Sequence, residues 1–271
     1  MRKTWIALLA LAAATAAGRA QAPATSPPSA PAVPAAAPFD PDRNPLDRYL
    51  QRWEEAMKKV DTLALACTRK EIDKVYRTEK TYEGTIHFLK PTYFFWDMRV
   101  KGKPQDFERI ICSGQFIYQF VPAERVIRVY PGPKVGPSGR IAEDTSIAFL
   151  FGMKATAAKE RYTLSLFKED KFYIYVDVIP KRDIDKADFQ KARIVLNRDT
   201  FLPRQLWFEH PNAGQVIWDI PTIQSGVPLQ KITFATPKAP PGWKMVPGQS
   251  APQRLTNNTQ QPARVIRDQK P

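Results

Sequence analysis

The 271-residue chain carries 41 Lys and Arg against 27 Asp and Glu, a formal net charge of +14, with 26 Pro, two Cys and two His. So few Cys and His leave no set of ligands at zinc-module spacing, and no nucleophile elbow, phosphate loop or Gly-rich dinucleotide fingerprint is present. Beyond the N-terminus no segment approaches the ~18 consecutive apolar residues of a membrane-spanning helix.

Arg2 and Lys3 precede an apolar run from Trp5 to Ala17, and small residues follow at Gly18, Ala20 and Ala22. This pattern reads as a secretory signal peptide over residues 1–20 with cleavage after Ala20. Loss of Arg2, Lys3 and Arg19 lowers the formal charge from +14 to +11. No Cys follows the run, so the expected mature chain is periplasmic and soluble rather than lipid-anchored. Residues 21–43 form a Pro/Ala-rich spacer, expected to be extended and disordered. One folded domain is expected over 44–246, followed by a polar, basic tail over 247–271.

Asn44 can cap a helix that has Pro45 at its first position and Asp47 in its first turn. Leu46, Tyr49, Leu50, Trp53, Met57 and Val60 then recur at helical spacing, so one stripe must face a sheet. Strand-like runs follow at 63–75, 78–89, 93–100, 107–112, 116–121 and 126–130, with period-two alternation clearest in Thr85 to Phe88 and in Phe116 to Phe120. After the Gly/Pro-rich stretch 131–139 the pattern turns helical over 144–151 and 154–161. Further strands are expected at 162–167, 171–179, 192–196, 203–208, 215–220 and 230–235. The expected fold is mainly β with α: a single curled antiparallel sheet, an incomplete β-barrel, with an N-terminal helix and short plug helices on its concave side.

Nine aromatic residues crowd into 88–120, too many for one thin core, which points to an apolar concavity. Its candidate lining is Phe88, Phe94, Trp96, Phe116, Tyr118, Phe149 and Phe151; the competing reading of each is ordinary core. Cys67 and Cys112 allow one disulfide by parity. In a simple meander, however, three strand spacings of about 4.8 Å separate them, beyond bridging distance. His87 belongs on a strand face and His210 in a turn. Asp183, Asp185 and Asp188 read as a solvated acidic loop, since a calcium loop of the EF-hand kind needs a Gly and a terminal Glu. Neither catalytic residues, nor a metal, nor a cofactor are expected. The basic charge suits transient contact with an anionic membrane surface, or solubility alone; scattered positive residues without a recognition module argue against nucleic acid.

Several motifs, in order and spacing, resemble the LolA lipoprotein-carrier family: Lys90-Pro91 followed by Phe94 and Trp96; Ser113-Gly114-Gln115 leading into Phe116-Ile117-Tyr118; Phe149-Leu150; Val195-Leu196-Asn197-Arg198-Asp199 with Pro203; and Phe234 near Pro237. The resemblance spans most of residues 44–246. It implies an incomplete β-barrel closed by helices. It also implies a monomeric periplasmic shuttle that holds the acyl chains of a lipoprotein or lipid between an inner-membrane exporter and an outer-membrane acceptor. In that family an Arg before the motif's Pro helps hold the closed state; its place is taken here by Lys90, which keeps the charge and loses the bidentate fork. The same sheet also suits an envelope sensor of lipids or lipoproteins that regulates a protein partner, and the spacer and the tail cations Arg254, Arg264, Arg267 and Lys270 fit such docking.

Overall fold

The computed structural model describes residues 38–132 and 154–248. The expected signal peptide, most of the expected spacer, the helix expected over 144–151 and nearly all of the expected tail lie outside the described residues. Helix α1 (Pro45–Lys58) starts as its sequence dictates: the Asn44 side chain accepts a hydrogen bond from the Leu46 amide at 3.0 Å, and Pro45 occupies the first turn. Its stripe of Leu46, Leu50, Trp53 and Met57 is buried.

Twelve strands form one sheet in the order β12-β6-β5-β4-β3-β2-β1-β11-β10-β9-β8-β7. They are β1 (Thr62–Asp73), β2 (Thr78–Leu89), β3 (Tyr93–Val100), β4 (Lys103–Ser113), β5 (Phe116–Val121), β6 (Val126–Pro131), β7 (Tyr162–Glu169), β8 (Tyr173–Pro180), β9 (Lys191–Asn197), β10 (Pro203–Glu209), β11 (Gln215–Ser225) and β12 (Lys244–Pro247). The sheet stays open, with β12 and β7 as its two edges. Short helices α2 (Ala155–Arg161) and α3 (Asp183–Lys186) precede β7 and follow β8. Pairing is antiparallel throughout except at the β12 edge, which runs parallel to β6.

Two expectations are corrected. Residues 230–235 form no strand; Lys231–Phe234 make a single 3-10 turn. The reason is that β11 already has β1 and β10 as neighbours, so the chain leaving it finds no free edge until it reaches β6. The acidic loop is also not simply solvated. Asp185 is 2 % exposed and receives hydrogen bonds from Arg161 and Arg182.

Strand register sorts side chains onto two faces. On the inner face, which α1 and α2 cover, Leu63, Phe88, Phe94 and Cys112 are cross-strand neighbours, as are Leu65, Ile86, Trp96 and Ile110. On the outer face His87, Phe95, Ile111, Tyr118 and Val129 line up across five strands. A strap made of residues 226–243 lies over this outer row. It buries Phe234 against the Tyr93 ring, 5.7 Å between centroids, and sets Trp243 against Phe107 and Phe120 at 6.3 and 5.8 Å.

Candidate functional site

The inner face beneath α1 is the candidate site. Trp53 from the helix is almost wholly buried in the same apolar cluster as Trp96, whose ring meets Trp218 of β11 edge-on at 5.0 Å. Phe94 packs beside Trp96 at 6.0 Å. Phe88, Phe94 and Trp96 are therefore brought together on one apolar surface.

Phe116 and Tyr118 are not brought to that surface. They share the parity of Phe120 on β5 and belong to the outer face, where the Tyr118 hydroxyl pairs with Thr236 Oγ1 of the strap at 2.8 Å and Phe116 is 45 % exposed. Counting aromatics along the chain merges two faces that a period-two register keeps apart. Phe149 and Phe151 lie outside the described residues.

Lys90 sits at the turn between β2 and β3, before a cis Lys90-Pro91 bond. Its ammonium donates to the Lys58 carbonyl oxygen at 2.9 Å and to Asp61 Oδ1 at 3.2 Å. It thereby satisfies a carbonyl at the C-terminus of α1, where the helix dipole favours a cation. Two further polar ties bind α1 to α2. Glu54 Oε2 accepts from the Ala155 amide at 2.8 Å, and the fully buried Asp47 accepts from Lys159 Nζ at 2.8 and 2.9 Å. The helical cover is therefore held by an apolar stripe plus a few polar latches.

Beyond α1, the inner face carries a buried charge cluster that sequence reasoning missed. Arg69, 4 % exposed, donates to both oxygens of Glu108 at 2.7 and 2.8 Å and pairs with Glu71 at 2.9 Å. Its guanidinium lies over the Tyr82 ring at 4.1 Å and near Trp218 and Trp96 at 5.3 and 5.9 Å. Burial works against the charge on Arg69, but Glu108 and Glu71 outweigh it and keep the guanidinium protonated. Burial and the Glu108 charge raise the Glu71 carboxyl, with Arg69 opposing. The signal was present: Leu63, Leu65 and Cys67 point inward, so alternation carries Arg69 inward too.

Cys67 and Cys112, on β1 and β4, are both buried free thiols. Burial pushes Cys67 up to about 12, with Sγ 3.6 Å from the Met98 sulfur, so it remains a protonated, unreactive core group. His87 stacks on Phe95 on the outer face, and burial lowers its pKa. Among the described residues no three His, Cys, Asp or Glu side chains converge to hold a metal ion, and no helix is long and apolar enough to cross a membrane.

No protein-family model matches the chain, and no curated protein matches it in sequence. Among solved structures, the chain is similar to an uncharacterized conserved protein from Thermus thermophilus, at 7 % identity and TM-score 0.48, over 76 % of this chain and 100 % of that one. It is also similar to a LolA superfamily protein from Nitrosomonas europaea, at 11 % identity and TM-score 0.34, over 70 % of this chain and 96 % of that one. A third likeness is to the Pseudomonas aeruginosa MucA/MucB complex structure, at 15 % identity and TM-score 0.37, over 70 % of this chain and 60 % of that one.

Proposed function

We propose that this chain is a non-enzymatic, exported binding protein that holds the acyl chains of a lipoprotein or lipid against the inner face, with α1 as the displaceable cover and Lys90 as its latch. The carrying observation is that α1 closes one continuous apolar surface through a stripe of four side chains and a few polar contacts near its ends. The energies are commensurate. Four side chains at roughly 2 kcal/mol each amount to about 8 kcal/mol, and an acyl chain of ~14 carbons at about 0.8 kcal/mol per methylene supplies about 11. A carrier needs that near balance, because cargo must enter and leave. Phe88, Phe94 and Trp96 then line the acyl site, and the chain works as a monomer in the periplasm between an exporter and an acceptor.

A fluorescent fatty-acyl probe, titrated into the full chain, tests this reading. Saturable uptake that falls when Trp96→Asp or Phe94→Asp is introduced supports it. Uptake absent from the wild-type chain contradicts it and leaves the inner face as ordinary core, with regulation of a protein partner as the function to pursue.

A further inference from the structure

One end of the sheet combines exposed apolar side chains with unpaired cations. The register places the β1–β2, β3–β4, β5–β6 and β10–β11 turns at this end, together with the β8–β9 connection that contains α3. At the tip of the β1–β2 hairpin, Val75 is 69 % and Tyr76 78 % exposed, adjacent in sequence and outermost in the turn. The exposure is built in. Asp73 Oδ1 accepts hydrogen bonds from the amides of both Val75 and Tyr76 at 2.9 Å, which fixes the turn and holds the two side chains away from the sheet. Ile184 on α3, at the same end, is 64 % exposed.

Lys74 and Arg77 flank the tip. Arg77 is exposed and makes no ion pair among the described residues, and Lys74 meets Glu209 at 3.8 Å; Lys103, level with Tyr82, and Arg125, in the turn before Val126, are set back from the tip along the strands. Most acids at this end are already engaged: Asp73 in the turn, Glu83 with Lys101, Glu124 with Arg128, and Asp183 with Lys186. Singly exposed apolar residues are ordinary on a soluble protein, whereas an adjacent aliphatic–aromatic pair flanked by the unpaired Arg77 and by Lys74, whose one ion pair is a 3.8 Å contact with Glu209, has the chemistry of an interfacial anchor. Tyrosine favours headgroup depth, and each nearby cation is attracted to anionic lipid.

We infer that the β1–β2 hairpin tip docks this chain on an anionic bilayer, with Val75 and Tyr76 entering the headgroup region and Lys74 and Arg77 contacting lipid phosphates. This deepens the lipid-binding reading, on which it rests, by naming the surface through which the inner face meets a membrane.

The test is co-sedimentation of the full chain with vesicles of phosphatidylcholine plus phosphatidylglycerol, and with phosphatidylcholine alone, run beside acyl-probe uptake from solution. Wild type should bind the anionic vesicles and not the neutral ones. The double substitution Val75→Ser with Tyr76→Ser should weaken binding about tenfold or more, and Arg77→Glu by about fivefold or more, all with acyl uptake unchanged. Absence of binding, equal binding to neutral vesicles, or binding unaffected by the tip substitutions because the tail carries it would overturn the inference. Tip-dependent docking without any acyl uptake would support the inference while sinking the acyl-holding reading.

Discussion

The Lys90 ammonium reaches across from the β2–β3 turn to the main-chain oxygen of Lys58, 2.9 Å away, and so ties the sheet to the last residue of α1. A lysine makes this contact as a point charge. One carbonyl and one exposed carboxylate share it, and its side chain remains 39 % exposed.

Breaking that latch should alter dynamics more than stability. Lys90→Met is expected to cost no more than about 1 kcal/mol in chemical denaturation, because an exposed charged contact contributes little. Acyl-probe uptake followed by stopped flow should nonetheless accelerate several-fold, since α1 lifts more readily. Lys90→Arg should slow uptake below wild type, because the guanidinium fork holds helix carbonyls at two points. Unchanged rates in both variants would remove Lys90 from gating.

The Arg69 cluster should respond asymmetrically. Arg69→Met leaves Glu71 and Glu108 buried without their cation and should destabilise by about 3–5 kcal/mol. Adding Glu71→Gln and Glu108→Gln to Arg69→Met should recover a large part of that loss, because uncompensated charge is the main penalty. Urea melts of the single and triple variants measure both.

Asp185 sets an acid limit. Burial pushes its carboxyl up, but hydrogen bonds from Arg161 and Arg182 more than reverse this and hold it at about 2, against an ordinary 3.8. Its folded-state pKa is depressed, so its stabilisation is present above 3.8 and is lost as pH falls towards 2. The amount is about 2 kcal/mol. Asp185→Asn should flatten stability against pH in that window. Glu71 acts with the opposite sign: its raised carboxyl favours the folded state at acid pH, and that contribution is lost as pH rises above the ordinary 4.5.

The strap separates from the site. Phe234 is fully buried on the outer face, so Phe234→Ala should cost about 3–5 kcal/mol, or less if the strap detaches as a unit. Limited proteolysis should then cut between residues 226 and 243 while acyl uptake persists, because α1 and the inner face lie across the sheet. Loss of uptake would show that the two faces are coupled.

Much of this architecture was legible locally. Asn44-Pro45 marks the start of α1, and alternation locates β1 to β11 with modest boundary differences, because each of these signals resides in neighbouring residues. Strand β12 was not legible: Lys244–Pro247 becomes a strand only because the edge of β6 is free to pair with it. Phe234 reads as a strand residue, yet its burial, like the docking of Trp243 on Phe107 and Phe120, depends on where the chain must travel after β11. In the candidate site, Phe88, Phe94 and Trp96 share a face by simple parity. The separation of Phe116 and Tyr118 from them depends on the pairing of β4 with β5, which fixes Tyr118 opposite Ile111.

Native mass spectrometry of the full chain, purified gently from the envelope of its own cell, tests the central claim most directly. A bound acylated lipid or lipoprotein, removed by organic extraction and diminished in Trp96→Asp, is the predicted result. A spectrum of ligand-free protein in both wild type and variant, with no mass recovered in the extract, would contradict it.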